Sequence, residues 1–246
     1  MKGDQLALGV WAEPEPAFWN FFTGANQALV DTLRDLIARP ATGSAVYLYG
    51  AAASGKTHLL HAAVGACHGQ DALMLSLRVP DQARRLREPA LDAASLLVLD
   101  DLDAVAGHAE EALVLVRLLD RARQAGRLVL ASARAAPARL PGVLPDLRTR
   151  LEAMLLLGLR PLREADRHQL LSLQAGARGL DLEPEVLSWM LNHLPRDAGS
   201  LIAALERLDR ATLSAKRRPT VSFLQQLMMR ADASLPGRES ARTSSG

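Results

Sequence analysis

Short runs of apolar residues recur along the first two thirds of the chain: VYLY (Val46–Tyr49), LMLSL (Leu73–Leu77), LLVL (Leu96–Leu99), RLVLAS (Arg127–Ser132) and MLLLGL (Met154–Leu159). Runs this short and uniformly apolar predict strands covered on both faces, and MLLLGL is read as a buried strand with the rest. Between them lie stretches such as EEALVLVRLLDRARQAG, whose apolar residues return at helical spacing. Strand and helix in alternation predict an α/β fold with a parallel five-stranded sheet flanked by helices.

Beyond Pro161 the strand pattern stops. ADRHQLLSLQAGARG, EPEVLSWMLNHL, PRDAGSLIAALERLDRATL and TVSFLQQLMMRA all carry helical periodicity, with Gly179, Pro184 and Pro195 as punctuation. The chain therefore divides into an N-terminal segment (1–12), an α/β nucleotide-binding base (13–160), a small all-helical lid (161–233) and a polar tail (234–246) expected to be disordered.

Composition adds exclusions. At 246 residues, with 49% hydrophobic and 23% charged residues, the chain can bury a substantial core. All but Lys2, Lys56 and Lys216 of its 29 basic residues are arginine, yet the formal charge is only +2, too small to demand nucleic acid by bulk electrostatics. Cys67 is the single cysteine, so no intrachain disulfide can form. No apolar run approaches 18 residues and no secretion signal opens the chain, which predicts a cytoplasmic protein with no membrane partner.

The chemistry concentrates after VYLY. Gly50-Ala51-Ala52-Ala53-Ser54-Gly55-Lys56-Thr57 fits G-x-x-x-x-G-K-[ST], set between a strand and a helix. The glycines let the loop close on phosphate oxygens, and backbone N–H groups and the helix N-terminus supply positive potential. Lys56 reaches the β/γ-phosphates and Thr57 offers a hydroxyl to Mg²⁺. Candidate nucleotide-binding residues are Gly50, Ala53, Ser54, Gly55, Lys56, Thr57 and His58. The metal needs a carboxylate, and SLLVLDDLD supplies Asp100 at a strand end, with Asp101 next to it as the residue that would orient an attacking water. His58, His61, Cys67 and His68 crowd together but match no zinc spacing.

These motifs resemble the DnaA branch of the AAA+ ATPases and, within it, regulators that inactivate the initiator DnaA. The resemblance spans about residues 5–230 and rests on FWNFFTGANQAL, GAAASGKTHLLHA, LLVLDDLDAVAG, LPDLRTRL and LPRDAGSLIAALERLDRATL. It implies an adenine-side box containing Phe21, Gly24 and Asn26, and a lid sensor arginine at Arg196. It also implies an arginine finger at Arg150, with Arg148 near enough to take the role instead, reaching a neighbouring subunit's γ-phosphate. Such AAA+ enzymes commonly carry Glu where Asp101 stands; with Ala133 and Arg134 after the polar strand end Ser132, this implies weak intrinsic ATPase activity. The initiator carries a helix-turn-helix DNA-binding domain after its lid, whereas only about 15 mostly polar residues follow Ala231 here.

The opening QLAL, with Gln5, Leu6 and Leu8, resembles the peptide by which bacterial proteins dock on the β sliding clamp of DNA polymerase III. A glutamine amide would bond a pocket rim and the leucines fill an apolar groove. The resemblance as a whole implies a self-associating regulator, holding ADP (or ATP) with Mg²⁺, that reaches DNA through the clamp and stimulates hydrolysis of DnaA-bound ATP. The alternative is an independent AAA+ ATPase acting as a helicase loader or protein remodeller.

Overall fold

A computed structural model describes residues 15–67, 71–215 and 217–233. Gln5, Leu6, Leu8 and His68 lie outside them. The five apolar runs are the five strands, β1 (Ala45–Tyr49), β2 (Ala72–Ser76), β3 (Leu96–Asp100), β4 (Leu128–Ala133) and β5 (Leu155–Gly158), in the order β2-β3-β4-β1-β5. The sheet is parallel, with Leu96 to Leu99 in register against both neighbours: Val98 lies beside Met74 on one side and Leu130 on the other. Every residue of β3 and β4 is buried, as a central strand covered on both faces requires.

Helices α1 (Gln27–Ala38), α2 (Lys56–Ala66), α3 (Pro80–Arg84), α4 (Ala109–Gln124) and α5 (Pro145–Glu152) connect the strands. In α4, Ala112, Leu115, Val116, Leu118, Leu119 and Ala122 are buried, one face at helical spacing, while Glu110 and Glu111 occupy its first turn where the helix dipole favours anions.

MLLLGL departs from expectation. It forms a strand, but Leu155 and Leu156 are 44% and 39% exposed. Successive strand residues point to opposite faces, so β5 begins uncovered on both. The physical reason is its place at the sheet edge, outside β1.

The residues fall into two compact units. One holds the chain up to Phe21, Ala28–Leu48 and Thr57–Leu157; the other holds Phe22–Gln27, Tyr49–Lys56 and the chain from Gly158 onward. Within the second, α6 (Glu164–Ala177), α7 (Pro184–His193), α8 (Ala198–Ala215) and α9 (Val221–Ala233) close around Leu171, Val186, Met190, Leu201, Leu205 and Leu224. Local signals set their ends. Gly179 has φ +68° and lets the Leu180 N–H reach back to the Ala175 carbonyl, ending α6. Pro184 opens α7, and the Asp197 carboxylate caps α8 by accepting the Ser200 N–H at 2.8 Å. Among the described residues no helix is long and apolar enough to cross a membrane.

Candidate functional site

The phosphate loop is built for close approach. Gly55 has φ +95° and Ala53, unusually for a residue with a Cβ, has φ +56°. A Cβ on Gly50 would stand 3.0 Å from the Leu159 carbonyl oxygen and 3.1 Å from Ser54 Oγ, so the loop cannot widen there. Lys56 is almost wholly buried, and its Nζ donates to the Gly50 and Ala51 carbonyls at 2.9 and 2.8 Å. The ammonium is thus held over its own loop, where the first N–H groups of α2 lack intrahelical partners.

The turn before α8 belongs to the same unit. A Cβ on Gly199 would lie 3.9 Å from Ala53 Cβ, which brings the Arg196–Asp197 turn beside the loop. Asp197 is occupied as the cap, while Arg196 is exposed. Asn26 is committed differently. It is buried, and its amide bonds both sides of Arg160, accepting the N–H at 2.8 Å and donating to the carbonyl at 3.0 Å. That pairing commits the Asn26 amide to the backbone and ties the Gly24–Asn26 turn to Arg160. A Cβ on Gly24, at φ +49°, would meet Leu162 at 3.3 Å.

In the other unit, hydroxyl and carboxylate donors converge. Thr57 Oγ1 donates to Asp100 Oδ2 at 2.7 Å. The second oxygen of Asp100 accepts the Asp101 N–H at 3.0 Å and a short bond from Ser132 Oγ, which is fully buried. Hard oxygen donors of this kind suit Mg²⁺, which is held by few protein ligands and keeps waters and phosphate oxygens in its shell. The set fits the metal that the phosphate loop implies.

Asp101 has φ +56° and its carboxylate is gripped by Arg78, whose Nε and Nη2 each donate at 3.0 Å. Arg78 also lies 3.8 Å from Asp103. His58, on the first turn of α2, packs its ring 5.4 Å from that of Phe21, and its Nε2 lies 3.1 Å from the Ala17 carbonyl. Burial pushes the imidazole pKa below its usual value, against the pull of that carbonyl, so the neutral ring is favoured.

The two candidate finger arginines are placed in opposite ways. Arg148 is half-buried, its Nη2 reaching only the Leu140 carbonyl at 3.4 Å and its Nε enclosed without a partner. Arg150 extends along the outside of α5, where Nε and Nη2 donate to the two oxygens of Asp120 on α4, both at 2.8 Å. Its Nη1 donates to the Asp146 carbonyl at 2.9 Å. These bonds hold the Asp120 carboxyl below the usual carboxylate range.

Sequence reasoning missed Arg78 and Asp120. Neither sits in a motif, and both matter only through partners 23 and 30 residues away.

Known structures share this architecture. Domain III of the replication initiation protein DnaA from Thermotoga maritima superposes with a TM-score of 0.77 at 16% identity, over 88% of this chain and 97% of that one. A replication initiator DnaA bound to AMPPCP and single-stranded DNA matches at TM-score 0.73 and 18% identity, over 90% and 71%. Thermotoga maritima RuvB matches at TM-score 0.65 and 15% identity, over 88% and 73%. Sheet order, phosphate loop and helical C-terminal unit define the class, an AAA+ P-loop fold followed by a helical lid domain. Residues 164–228 match the family described as Hda, lid domain. That match covers the helical C-terminal unit, and the chain as a whole shares the fold of DnaA domain III.

Proposed function

We propose that this protein regulates the start of chromosome replication by inactivating DnaA. Tethered to the DNA-loaded sliding clamp through Gln5, Leu6 and Leu8, it would meet ATP-bound DnaA and complete a hydrolysis site whose nucleotide belongs to DnaA. The observation that carries this reading is the match of residues 164–228 to the Hda lid domain on a DnaA-type fold. The outward placement of Arg150 supports it as the finger in preference to the inward-turned Arg148.

The chain's own GAAASGKT loop would hold ADP, or ATP, with Mg²⁺. The backbone N–H groups of the Gly50–Gly55 loop would take the phosphates, Lys56 would exchange its loop carbonyls for phosphate oxygens, and Thr57 and Asp100 would hold the metal. The metal neutralises phosphate charge when bound. Arg196 at the cap of α8 would read the nucleotide and transmit its state to the lid helices. The nucleotide here serves to set the interface, and Asp101, restrained by Arg78, turns over slowly. Arg150 would supply an always-charged planar donor to the γ-phosphate in DnaA, a contribution worth ~10³–10⁵ in rate when such a finger acts in trans. Clamp affinity per QLAL peptide would be modest, and self-association would add avidity on a ring with repeated grooves.

The test is conversion of radiolabelled ATP-DnaA to ADP-DnaA by purified protein, with and without DNA-loaded clamp. Clamp-dependent conversion is expected for wild type. Gln5→Ala with Leu6→Ala should lose the clamp dependence, and Arg150→Ala should lose conversion while keeping clamp retention. No stimulation by wild type with ADP and active clamp present sinks the reading. Rapid intrinsic turnover independent of the clamp would instead favour a helicase loader or remodeller.

A further inference from the structure

We propose that Asp120 is a positioning residue for Arg150, orienting its guanidinium so that two donors are left for an oxyanion of a partner molecule. The inference rests on the function proposed above and adds a residue to it.

An arginine side chain alone is a poor finger. It has many rotamers, and immobilising it at the moment of reaction would cost much of what its charge contributes. Here that ordering is done in advance. Nε and Nη2 are forked onto Asp120 and Nη1 onto the Asp146 carbonyl. Three of the five guanidinium N–H groups are thereby used, and one remains on each terminal nitrogen. Two donors on a planar group can meet the oxygens of a phosphate.

The opposite reading, in which Asp120 stows the finger by competing with phosphate, is weaker on two counts. The pair is solvent-accessible, with side chains 33% and 43% exposed, so the attraction to be overcome is screened. Arg123, one turn along α4, also acts on Asp120 and offsets part of its charge. Orientation is not screened, because it is set by bond geometry. A guanidinium displaced by about 1 Å can cost on the order of 10²-fold in rate.

The experiment measures DnaA-ATP hydrolysis against concentration of this protein, on DNA-loaded clamp, for wild type, Arg150→Ala, Asp120→Asn and Asp120→Ala. Both Asp120 variants are expected to lower the maximal rate at least about tenfold, with the half-saturating concentration unchanged within about twofold. A structural role for an exposed pair would leave the maximal rate alone. Asp120 variants as fast as wild type, or faster, overturn the assignment, the latter by showing that the fork stows the finger. So does a change confined to half-saturation. The geometry is checked independently in the folded wild-type protein by NMR. The Arg150 Nε–H should exchange slowly with water and lose that protection in Asp120→Asn, and fast exchange in wild type overturns the proposal. Wild type that stimulates nothing, or Arg150→Ala as active as wild type, overturns the proposed function and this assignment with it.

Discussion

Two constraints meet at Asp101. Its backbone is left-handed, a conformation that short polar side chains such as Asp and Asn visit more readily than long ones. That supplies a physical reason for a short acidic side chain at this position. Its carboxylate is then drawn to Arg78 by two hydrogen bonds of 3.0 Å, which compete with any water it would orient. Arg78→Ala should therefore raise intrinsic ATP turnover several-fold, a part of the ~10²–10⁴ that a positioned base contributes. A single-turnover assay without DnaA checks this, and unchanged turnover would mean that Asp101 takes no part in hydrolysis. DLDAV hinted at none of this, because the residue that restrains Asp101 lies at the end of a different strand.

Among elements, α8 was the most legible. Its apolar positions recur at helical spacing, and Leu201, Ala204, Leu205 and Leu208 are buried, with Thr212 beyond them. Leu205→Ala should cost about 2–5 kcal/mol through lost burial and the cavity left behind. Leu213→Ala, at a position 66% exposed, should stay within about 0.5 kcal/mol. Denaturant unfolding followed by fluorescence of Trp189, which packs against the same core, distinguishes them. Equal costs would mean that the lid helices pack on another face. Strand β5 was read less well. Apolar sequence predicted its conformation, but its exposure follows from its position outside β1, which periodicity cannot report.

For the whole molecule, a nucleotide that binds only the folded chain must stabilise it. ADP with Mg²⁺ at 100 times its Kd should contribute ~2.7 kcal/mol, or roughly 5–10 °C in unfolding midpoint for a chain of this length. Lys56→Ala should abolish that increment, whatever it does to the ligand-free midpoint. No rise in wild type would remove the nucleotide from the mechanism.

Local patterning was enough to specify the elements themselves. Uniform apolar runs specify strands, three-to-four spacing specifies amphipathic helices, and G-x-x-x-x-G-K-T encodes a loop in backbone terms that need no distant partner. Three-dimensional packing decided how those elements are combined. By inserting β4 between β1 and β3, the fold sets the Ser132 hydroxyl against the Asp100 carboxylate. By laying α4 along α5, it gives Arg150 its fork and turns Arg148 inward. The Ser132 and Arg150 bonds join residues 32 and 30 apart in sequence. Their energies come from hydrogen-bond geometry, and a one-dimensional pattern carries no record of it.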